Sequence, residues 1–300
     1  MAFTTRRETT ADIGVIGGSG LYDIEGMADV HELRVTTPFG RPSDVIVFGT
    51  IGSRRVAFLS RHGRGHRFSP TTINYRANIY ALKSVGVRQV VSIGAVGSMQ
   101  ESIKPGDIVL PDQFLDLTKH RTGSFFDSDL VAHVGLGMPV CPRLGPVLEK
   151  AARGVDARVH RGGSYLCIEG PQFSTKGESL LYRSWGVSVI GMTNMPEAKL
   201  AREAELCYAA VSMVTDYDCW HESETAVSVD TILSVLRQNV ALAKRLLREV
   251  VPNLEPPSVC ACPQALQGAI ITDPRMIGAA ARRRLRVLLE KYLPAHTRKV

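Results

Sequence analysis

The segment from Cys207 to Trp220 constrains the fold most strongly, because an apolar run within it stops abruptly before two acidic residues. Short and β-branched side chains fill the run up to Thr215, which is typical of a strand covered on both faces in a parallel sheet. Asp216 and Asp218 follow, and residues two apart in an extended segment point the same way. Ligands bind beyond the carboxyl ends of such strands, so both carboxylates are predicted to face one ligand. For this pair alone, a turn acid and a helix cap remain the alternative.

Size and composition favour a single large α/β domain. The chain has 300 residues, of which 44% are hydrophobic, and this is enough for one large core. We expect an N-terminal tail over residues 1–11 and the main domain over residues 12–250. A C-terminal extension over residues 251–300 is expected to be helical and packed on the same domain.

Charge and apolar patterning predict a cytoplasmic protein without a nucleic-acid or membrane partner. The formal net charge is +7, but much of it lies in terminal segments such as Arg282–Arg286, where a solvated helix face explains it. Nucleic-acid surfaces interleave basic and aromatic residues, and no such surface is evident. No run approaches the ~20 apolar residues of a membrane span, and residues 1–12 lack the apolar centre of a secretory signal.

The cysteines predict reduced core residues and no metal site. There are six, at Cys141, Cys167, Cys207, Cys219, Cys260 and Cys262. Four lie apart in apolar or mixed settings, which is typical of free thiols in an intracellular enzyme. Their spacing is not that of a zinc site, and Cys260 with Cys262 forms an isolated C-x-C pair. A redox-sensitive disulfide within that pair remains open.

Two loops at predicted strand ends carry groups suited to an oxyanion. The loop from Gly17 to Leu21 contains three glycines, which bring backbone N–H groups close to an anion, and the hydroxyl of Ser19 adds a donor. Its spacing is neither a dinucleotide fingerprint nor a P-loop. The next loop contains Arg61 and His62, and a guanidinium fork can hold phosphate through two bonds while imidazole donates another. A plain tight turn and an exposed basic loop are the respective alternatives.

Two further strand ends point to the same edge of the sheet. The buried strand from Gln89 to Ile93 is predicted to end in a glycine-containing loop that starts at Gly94, and two such loops from one sheet can share one anion. In a later turn, Phe173 is suited to stacking on a flat base, although a turn phenylalanine is more often core filler.

Eight motifs in order give the chain a family resemblance. They are IGVIGGSGLYD, TPFGRPSD, RHGRGHRFSP with INYRANIYALK, IGAVGS, PGDIVLPDQFLD, IEGPQFS, GMTNMPE and TDYDCW. Over about residues 12 to 250 they resemble the 5'-methylthioadenosine phosphorylases of the purine nucleoside phosphorylase superfamily. The resemblance implies a single α/β domain with a mixed, partly closed central sheet flanked by helices, assembled as a homotrimer. It also implies phosphate-dependent cleavage of methylthioadenosine to adenine and 5-methylthioribose 1-phosphate, with no metal or organic cofactor.

The resemblance assigns roles to residues of this sequence. The phosphate-binding residues would be Ser19, Arg61, His62, Gly94, Ala95 and Thr193, with Gly94 and Ala95 acting through their backbone. The substrate-binding residues would be Phe173, Ser174, Met192, Asp216, Asp218, Val229 and Ile232. Met192 would pack on the ribose, and Val229 in the first turn of a helix would leave room for a methylthio group.

The two acids would carry the catalysis. We expect Asp216 to protonate the purine near N7, and both carboxylates to accept hydrogen bonds from the 6-amino group, which favours adenine over 6-oxopurines. To donate near pH 7, Asp216 needs a pKa raised by burial and by its acidic neighbour. The alternative is an ionised Asp216 that only accepts hydrogen bonds while water delivers the proton.

Departures from the family pattern leave other activities open. Gly94 stands where some relatives have a threonine whose hydroxyl contacts phosphate, so weaker phosphate affinity is expected, and Gln172 replaces a more usual arginine. The alternative function is a broader purine nucleoside phosphorylase acting on adenosine, inosine or methylthioinosine. A hydrolytic nucleosidase would use water and would not need Arg61 and His62.

Overall fold

The computed structural model describes residues 9–18, 21, 24–222, 229–257 and 260–293, and the side chains of residues 229–234 and 236 lie outside this description. The strands are β1 Ile13–Gly17, β2 Ala28–Leu33, β3 Ile46–Ile51, β4 Arg54–Ser60, β5 Gln89–Ser98, β6 Ile108–Leu110, β7 Gln113–Asp116, β8 Val159–Arg161, β9 Ser164–Cys167, β10 Val189–Gly191 and β11 Cys207–Asp216. The helices are α1 Tyr75–Ser84, α2 Leu144–Gly154, α3 Lys176–Ser184, α4 Asn194–Glu203, α5 Val229–Asn253, α6 Ala279–Arg284 and α7 Arg286–Leu289.

The strands form one mixed sheet that divides at β5. The first residues of β5 pair in parallel with β1, and its last two pair antiparallel with β10. β11 pairs in parallel along almost the whole of β5 and continues the sheet to β6 and β8. α1 packs against α4, and α2 packs against α5, which also contacts β11. The prediction of an α/β domain with a mixed central sheet flanked by helices is confirmed.

Four parallel strands bring their carboxyl ends to one edge of the sheet. β1 pairs in parallel with both β4 and β5, and β5 pairs in parallel with β11. Every residue of β11 before Asp216 is buried, as expected for a strand covered on both faces. One prediction is wrong in detail, because the segment from Gly94 to Ser98 continues β5 instead of forming a loop after Ile93.

The described part of the C-terminal extension packs on the body of the domain. Leu266, Ile277 and Leu285 are buried in the same hydrophobic cluster as Ile79 and Leu82 of α1. None of the helices that the structure describes is long and apolar enough to cross a membrane.

A buried ion pair joins four of these elements below the strand ends. Arg61 directly follows β4 and is 2% exposed, and Glu197 of α4 is 1% exposed. The guanidinium donates to both Glu197 carboxylate oxygens, from Nε at 2.8 Å and from Nη2 at 3.1 Å. The hydroxyls of Ser92 in β5 and Tyr208 in β11 donate to the same carboxylate, at 2.5 Å and 2.9 Å.

The charge of this pair is retained despite its burial. Burial disfavours the charged guanidinium, but the adjacent Glu197 carboxylate raises the pKa of Arg61 above its ordinary value. A buried ion pair needs all of its hydrogen bonds to offset the cost of desolvation. The positions of β4, β5, β11 and α4 are therefore coupled through this network.

Removing the carboxylate charge should destabilise the fold strongly. We expect Glu197→Gln to lower the free energy of unfolding by about 3–5 kcal/mol, because it leaves a buried guanidinium without a counter-charge. Urea denaturation followed by circular dichroism measures the change. Glu149→Gln is the matched control, since Glu149 pairs with the exposed Arg153 and Arg161 and should cost less than about 1 kcal/mol. Equal losses in the two variants would contradict the role given to the buried pair.

Candidate active site

A cavity of about 370 Å³ opens at the shared edge of the four parallel strands, a size within the usual range for small-molecule sites. It is lined by most of the residues predicted from the sequence: Arg61, His62, Gly94, Ala95, Phe173, Ser174, Met192, Thr193, Asp216 and Asp218. Residues that lie far apart in the sequence are thus brought to one site. Ser19 lies outside the described residues, and so do the side chains of Val229 and Ile232.

The oxyanion end of the cavity differs from the sequence prediction at Arg61. Four of its five N–H donors are committed, two to Glu197, one to Ser92 Oγ and one to the Ile93 carbonyl. The guanidinium fork therefore holds Glu197 and not a ligand, and one Nη1–H donor remains. A Cβ atom built on Gly94 would lie 3.7 Å from that Nη1 and 3.6 Å from Thr193 Oγ1. One guanidinium donor and one hydroxyl therefore converge above the backbone of Gly94.

His62 is held as a neutral ring with one defined tautomer. Burial lowers the pKa of His62 to about 4, so the ring is uncharged near pH 7. Its Nδ1 lies 2.9 Å from the carbonyl oxygen of Phe68, and a carbonyl only accepts, so Nδ1 carries the proton. The other nitrogen is then an acceptor, whereas the sequence prediction made it a donor. The ring stacks on His66 at 4.2 Å between centroids, which fixes its plane.

The two acids form one hydrogen-bonded unit, although not in the extended geometry predicted. Asp216 ends β11, but Asp218 starts a 3-10 helix over Asp218–Trp220 with a φ of 54°. The Asp218 backbone N–H donates to Asp216 Oδ1 at 2.8 Å, and the hydroxyl of Thr215 lies 2.6 Å from Asp216 Oδ2. Both carboxylates still line the cavity, because the turn brings Asp218 back beside its neighbour.

Burial is the main cause that raises the pKa of Asp218, and the nearby Asp216 carboxylate acts in the same direction. The hydroxyl of Ser179 in α3 donates to Asp218 Oδ2 and partly opposes the shift. The site can therefore hold a proton on a carboxyl group at a higher pH than a free aspartate.

The turn that carries Phe173 and Ser174 presents groups that lack partners among the described residues. Ser174 Oγ is buried and has no hydrogen-bond partner among the described residues, and an unmade buried hydrogen bond is unfavourable. Phe173 is 72% exposed, so it is not core filler in the single chain. Both residues line the cavity, where a ligand would supply what each lacks.

Arg121 positions two segments of the site, and the sequence reasoning assigned it no role. Its guanidinium is 1% exposed and donates to the carbonyl oxygens of Met192 and Met195 at 2.6 and 2.7 Å. It also donates to the Glu169 carbonyl at 2.5 Å and to the Glu169 carboxylate at 3.1 Å. Arg121 thus joins the strand end that carries Met192 to the turn that leads to Phe173. In the sequence, the only indication of a role for Arg121 is its position in a polar segment.

The remaining wall of the cavity is largely apolar. It is formed by Leu21, Met213, Asn239, Val240 and Ala243. The amide nitrogen of Asn239 donates one of its two N–H groups to the Val214 carbonyl at 3.1 Å. The middle of α5 therefore contributes to the cavity, whereas the predicted contribution of its first turn concerns side chains outside the described residues.

Comparisons with known proteins agree with this geometry. The family model described as the Phosphorylase superfamily matches residues 12–252. The S-methyl-5'-thioadenosine phosphorylase of Geobacter sulfurreducens is 55% identical over 282 residues, covering 94% of this chain and 99% of the relative. That of Hyperthermus butylicus is 47% identical and covers 90% of this chain and 99% of the relative.

Solved structures give the same result. A methylthioadenosine phosphorylase from an antarctic soil metagenomic library superposes with a TM-score of 0.90 at 46% identity, covering 94% of this chain and 99% of that one. The Schistosoma mansoni methylthioadenosine phosphorylase in complex with adenine has a TM-score of 0.75 at 38% identity, covering 81% and 92%. The chain therefore belongs to the phosphorylase superfamily and, within it, to the S-methyl-5'-thioadenosine phosphorylase family.

Proposed function

We infer that this chain catalyses the phosphorolysis of 5'-methylthioadenosine to adenine and 5-methylthioribose 1-phosphate, as a pentosyltransferase of purine and methionine salvage. The observation that carries the inference is the single cavity that joins an oxyanion end, at Arg61 and Thr193, to the carboxylate pair of Asp216 and Asp218. Relatives named for this reaction cover nearly the whole chain. One solved relative from Schistosoma mansoni contains methylthioadenosine, and another contains adenine.

The reaction breaks one bond and forms another at the ribosyl C1'. A phosphate oxygen bonds to C1', the C1'–N9 bond breaks, and its electron pair stays on the purine. Positive charge develops on the ribosyl group, and a phosphate held next to it by Arg61 Nη1, Thr193 and the backbone of Gly94 and Ala95 provides the counter-charge. Neutral His62 would accept a hydrogen bond from a protonated phosphate oxygen, which adds a preference for the hydrogen phosphate form.

The carboxylate pair would act on the leaving base. A proton supplied near N7 lets the purine leave without a full negative charge, and the raised pKa of Asp218 favours a protonated carboxyl group beside Asp216. In the proposed mechanism Asp216 delivers the proton near N7, and Asp218 accepts a hydrogen bond from the 6-amino group. Ser174 Oγ, which is buried without a partner, and Phe173 would complete the binding of the base.

The apolar wall supports a methylthio group at the 5' position. The cavity wall includes Val240, Ala243 and Met213, which offer no hydrogen bond to a 5'-hydroxyl. The 5'-hydroxyl of adenosine would therefore lose its hydrogen bond to water on binding without gaining another. A broader phosphorylase that accepts adenosine, inosine or methylthioinosine is the second candidate. The 6-oxo group of inosine needs a hydrogen-bond donor, and Asp216 and Asp218 donate only when they are protonated. A protonated carboxyl group at this position would therefore favour the second candidate.

We further propose the homotrimer that the family resemblance implies. An apolar surface next to the cavity mouth supports an intersubunit contact there, because Phe173, Leu180, Leu181 and Trp185 are each about half exposed or more, and clustered exposed apolar side chains mark interaction sites. The cytoplasmic location and a reaction without metal or organic cofactor remain predictions.

The phosphate requirement tests the reaction directly. We expect adenine release from methylthioadenosine only when phosphate is present, and faster release than from adenosine or inosine, measured by product chromatography. Release without phosphate would indicate a hydrolase. Faster attack on inosine would contradict the roles given to Asp216 and Asp218.

Replacing the proposed proton donor should change both rate and base preference. We expect Asp216→Asn to lower kcat for methylthioadenosine by about 10²–10⁴-fold, the usual contribution of general acid catalysis. Activity with inosine should rise relative to methylthioadenosine, because the amide can donate to a 6-oxo group. Asp112→Asn is the control, since Asp112 is exposed and outside the cavity. Unchanged kinetics in the Asp216 variant would remove it from the mechanism.

A hydroxyl added at position 94 should tighten phosphate binding. The space above Gly94 accepts a Cβ atom with no contact shorter than 3.6 Å. We expect Gly94→Ser to lower the KM for phosphate about tenfold, which corresponds to one added hydrogen bond to a charged group. Gly94→Ala adds the carbon without the donor, so its KM for phosphate should not fall. If both variants change the KM equally, phosphate does not lie above Gly94.

A further inference from the structure

Four cysteines converge at a point remote from the cavity. The sulfur atoms of Cys141, Cys207, Cys260 and Cys262 all lie within 4.8 Å of one another, and all four are free thiols. Cys207 Sγ and Cys260 Sγ are 3.3 Å apart. The spacing of the cysteines along the sequence is not that of a zinc site, but the fold brings these four sulfur atoms together from three separate segments.

We propose that this four-cysteine cluster binds one divalent zinc-class metal ion through four thiolates. A tetrahedral site with Zn–S bonds of about 2.3 Å separates its sulfur atoms by about 3.8 Å. The upper limit of 4.8 Å on the observed separations exceeds that value by about 1 Å, and the distance of 3.3 Å between Cys207 and Cys260 falls about 0.5 Å short of it, so small side-chain rotations would close the site. A soft set of four thiolates in tetrahedral arrangement selects zinc over magnesium or calcium.

The surroundings of the cluster exclude water from such an ion. Cys141 and Cys207 are fully buried, Cys262 is 2% exposed, and only Cys260 is partly exposed. With four protein ligands and no open position, the site matches a structural metal centre and not a catalytic one.

Two arginines next to the cluster provide matching charge. Arg202 Nη1 lies 3.5 Å from Cys262 Sγ, and Arg143 lies beside Cys207. The other acceptors of both guanidinium groups are neutral: the Met138 carbonyl for Arg202, and the Gln89 amide and a backbone carbonyl for Arg143. The Nε atom of each arginine is buried without a hydrogen-bond partner among the described residues.

The charges of the cluster and the two arginines match if the thiols are ionised around a cation. A divalent ion with four thiolates carries a net charge of −2, which two guanidinium groups neutralise. Four neutral thiols, or two disulfides, would supply no counter-charge to either guanidinium group. This balance favours the metal over a purely thiol or disulfide cluster.

The ion would fasten the C-terminal segment to the domain. Cys141 precedes α2, Cys207 is the first residue of β11, and Cys260 and Cys262 lie beyond α5 at the short 3-10 helix Cys262–Gln264. Hydrogen bonds from Cys141 N–H to the Tyr208 carbonyl and from Arg143 to the Glu255 carbonyl already join these segments, and four metal–sulfur bonds would strengthen the connection. Metal binding should therefore act on stability and not on the chemical step, because Cys207 and Asp216 lie at opposite ends of the ten-residue strand β11.

The test measures metal in the full-length chain, freed of any affinity tag and purified without chelators from cells grown with zinc. We expect one zinc per chain by elemental mass spectrometry. Cys260→Ser and Cys262→Ser should lose most of it and unfold at a lower temperature, whereas Cys219→Ser should keep it, because Cys219 lies outside the cluster. Zinc retained in both cluster variants would place the metal elsewhere and overturn the proposal.

A second measurement needs no variant and so survives any failure of the variants to fold. Cobalt(II) is titrated into reduced, metal-free wild-type protein, and we expect the visible absorption of a tetrahedral cobalt–thiolate centre to saturate at one equivalent. Absence of that absorption, in protein whose thiols are free by chemical titration, would overturn the proposal. Intact-mass analysis of the protein as purified shows whether the cysteines form disulfides. Disulfides whose thiols, after reduction, bind neither zinc nor cobalt would also overturn the proposal.

Discussion

The active site depends on the buried ion pair of Arg61 and Glu197, because this pair fixes the strand ends that surround the cavity. One charge follows β4 and the other lies on α4, while Ser92 of β5 and Tyr208 of β11 complete the network. Such a network is favourable only when every member is in place. Four of the five N–H donors of Arg61 bind other groups of the protein. Arg61 therefore mainly positions the surrounding strands, and one remaining donor is left for the proposed contact with phosphate.

Two polar groups that line the cavity and lack a full set of partners among the described residues support the proposed position of the substrate. Ser174 Oγ is buried without a partner among the described residues, and Arg61 retains one N–H above Gly94. Unmade hydrogen bonds of this kind lower stability, and they are typical of sites where activity opposes stability. Because most other groups lining the cavity are apolar or already paired, these donors decide the orientation of a bound nucleoside and phosphate.

The sequence predicted the location of the site better than its geometry. Strand ends are local signals, so Gly94, Thr193 and Asp216 could be assigned to one edge of the sheet from sequence patterns and family resemblance. Contacts across the chain could not: the fork of Arg61 binds a carboxylate that no spacing rule connects to it, and the tautomer of His62 is set by the Phe68 carbonyl. The turn at Asp218, with its positive φ, also replaced the extended geometry inferred from the D-x-D pattern.

The four-cysteine cluster escaped the sequence reasoning for the same reason, and its place in the fold defines its role. Only the C-x-C pair is adjacent in sequence, whereas Cys141 and Cys207 join it through the packing of α2 and β11. β11 carries Cys207 at its start and Asp216 at its end, a length of about 30 Å at ~3.3 Å per residue. At that distance from the carboxylates a bound metal has no direct contact with substrate. The metal would fix the start of β11, and the ion pair of Arg61 and Glu197 fixes the strand ends near the cavity. Asp216 and Asp218 would then follow a strand that is held at both ends.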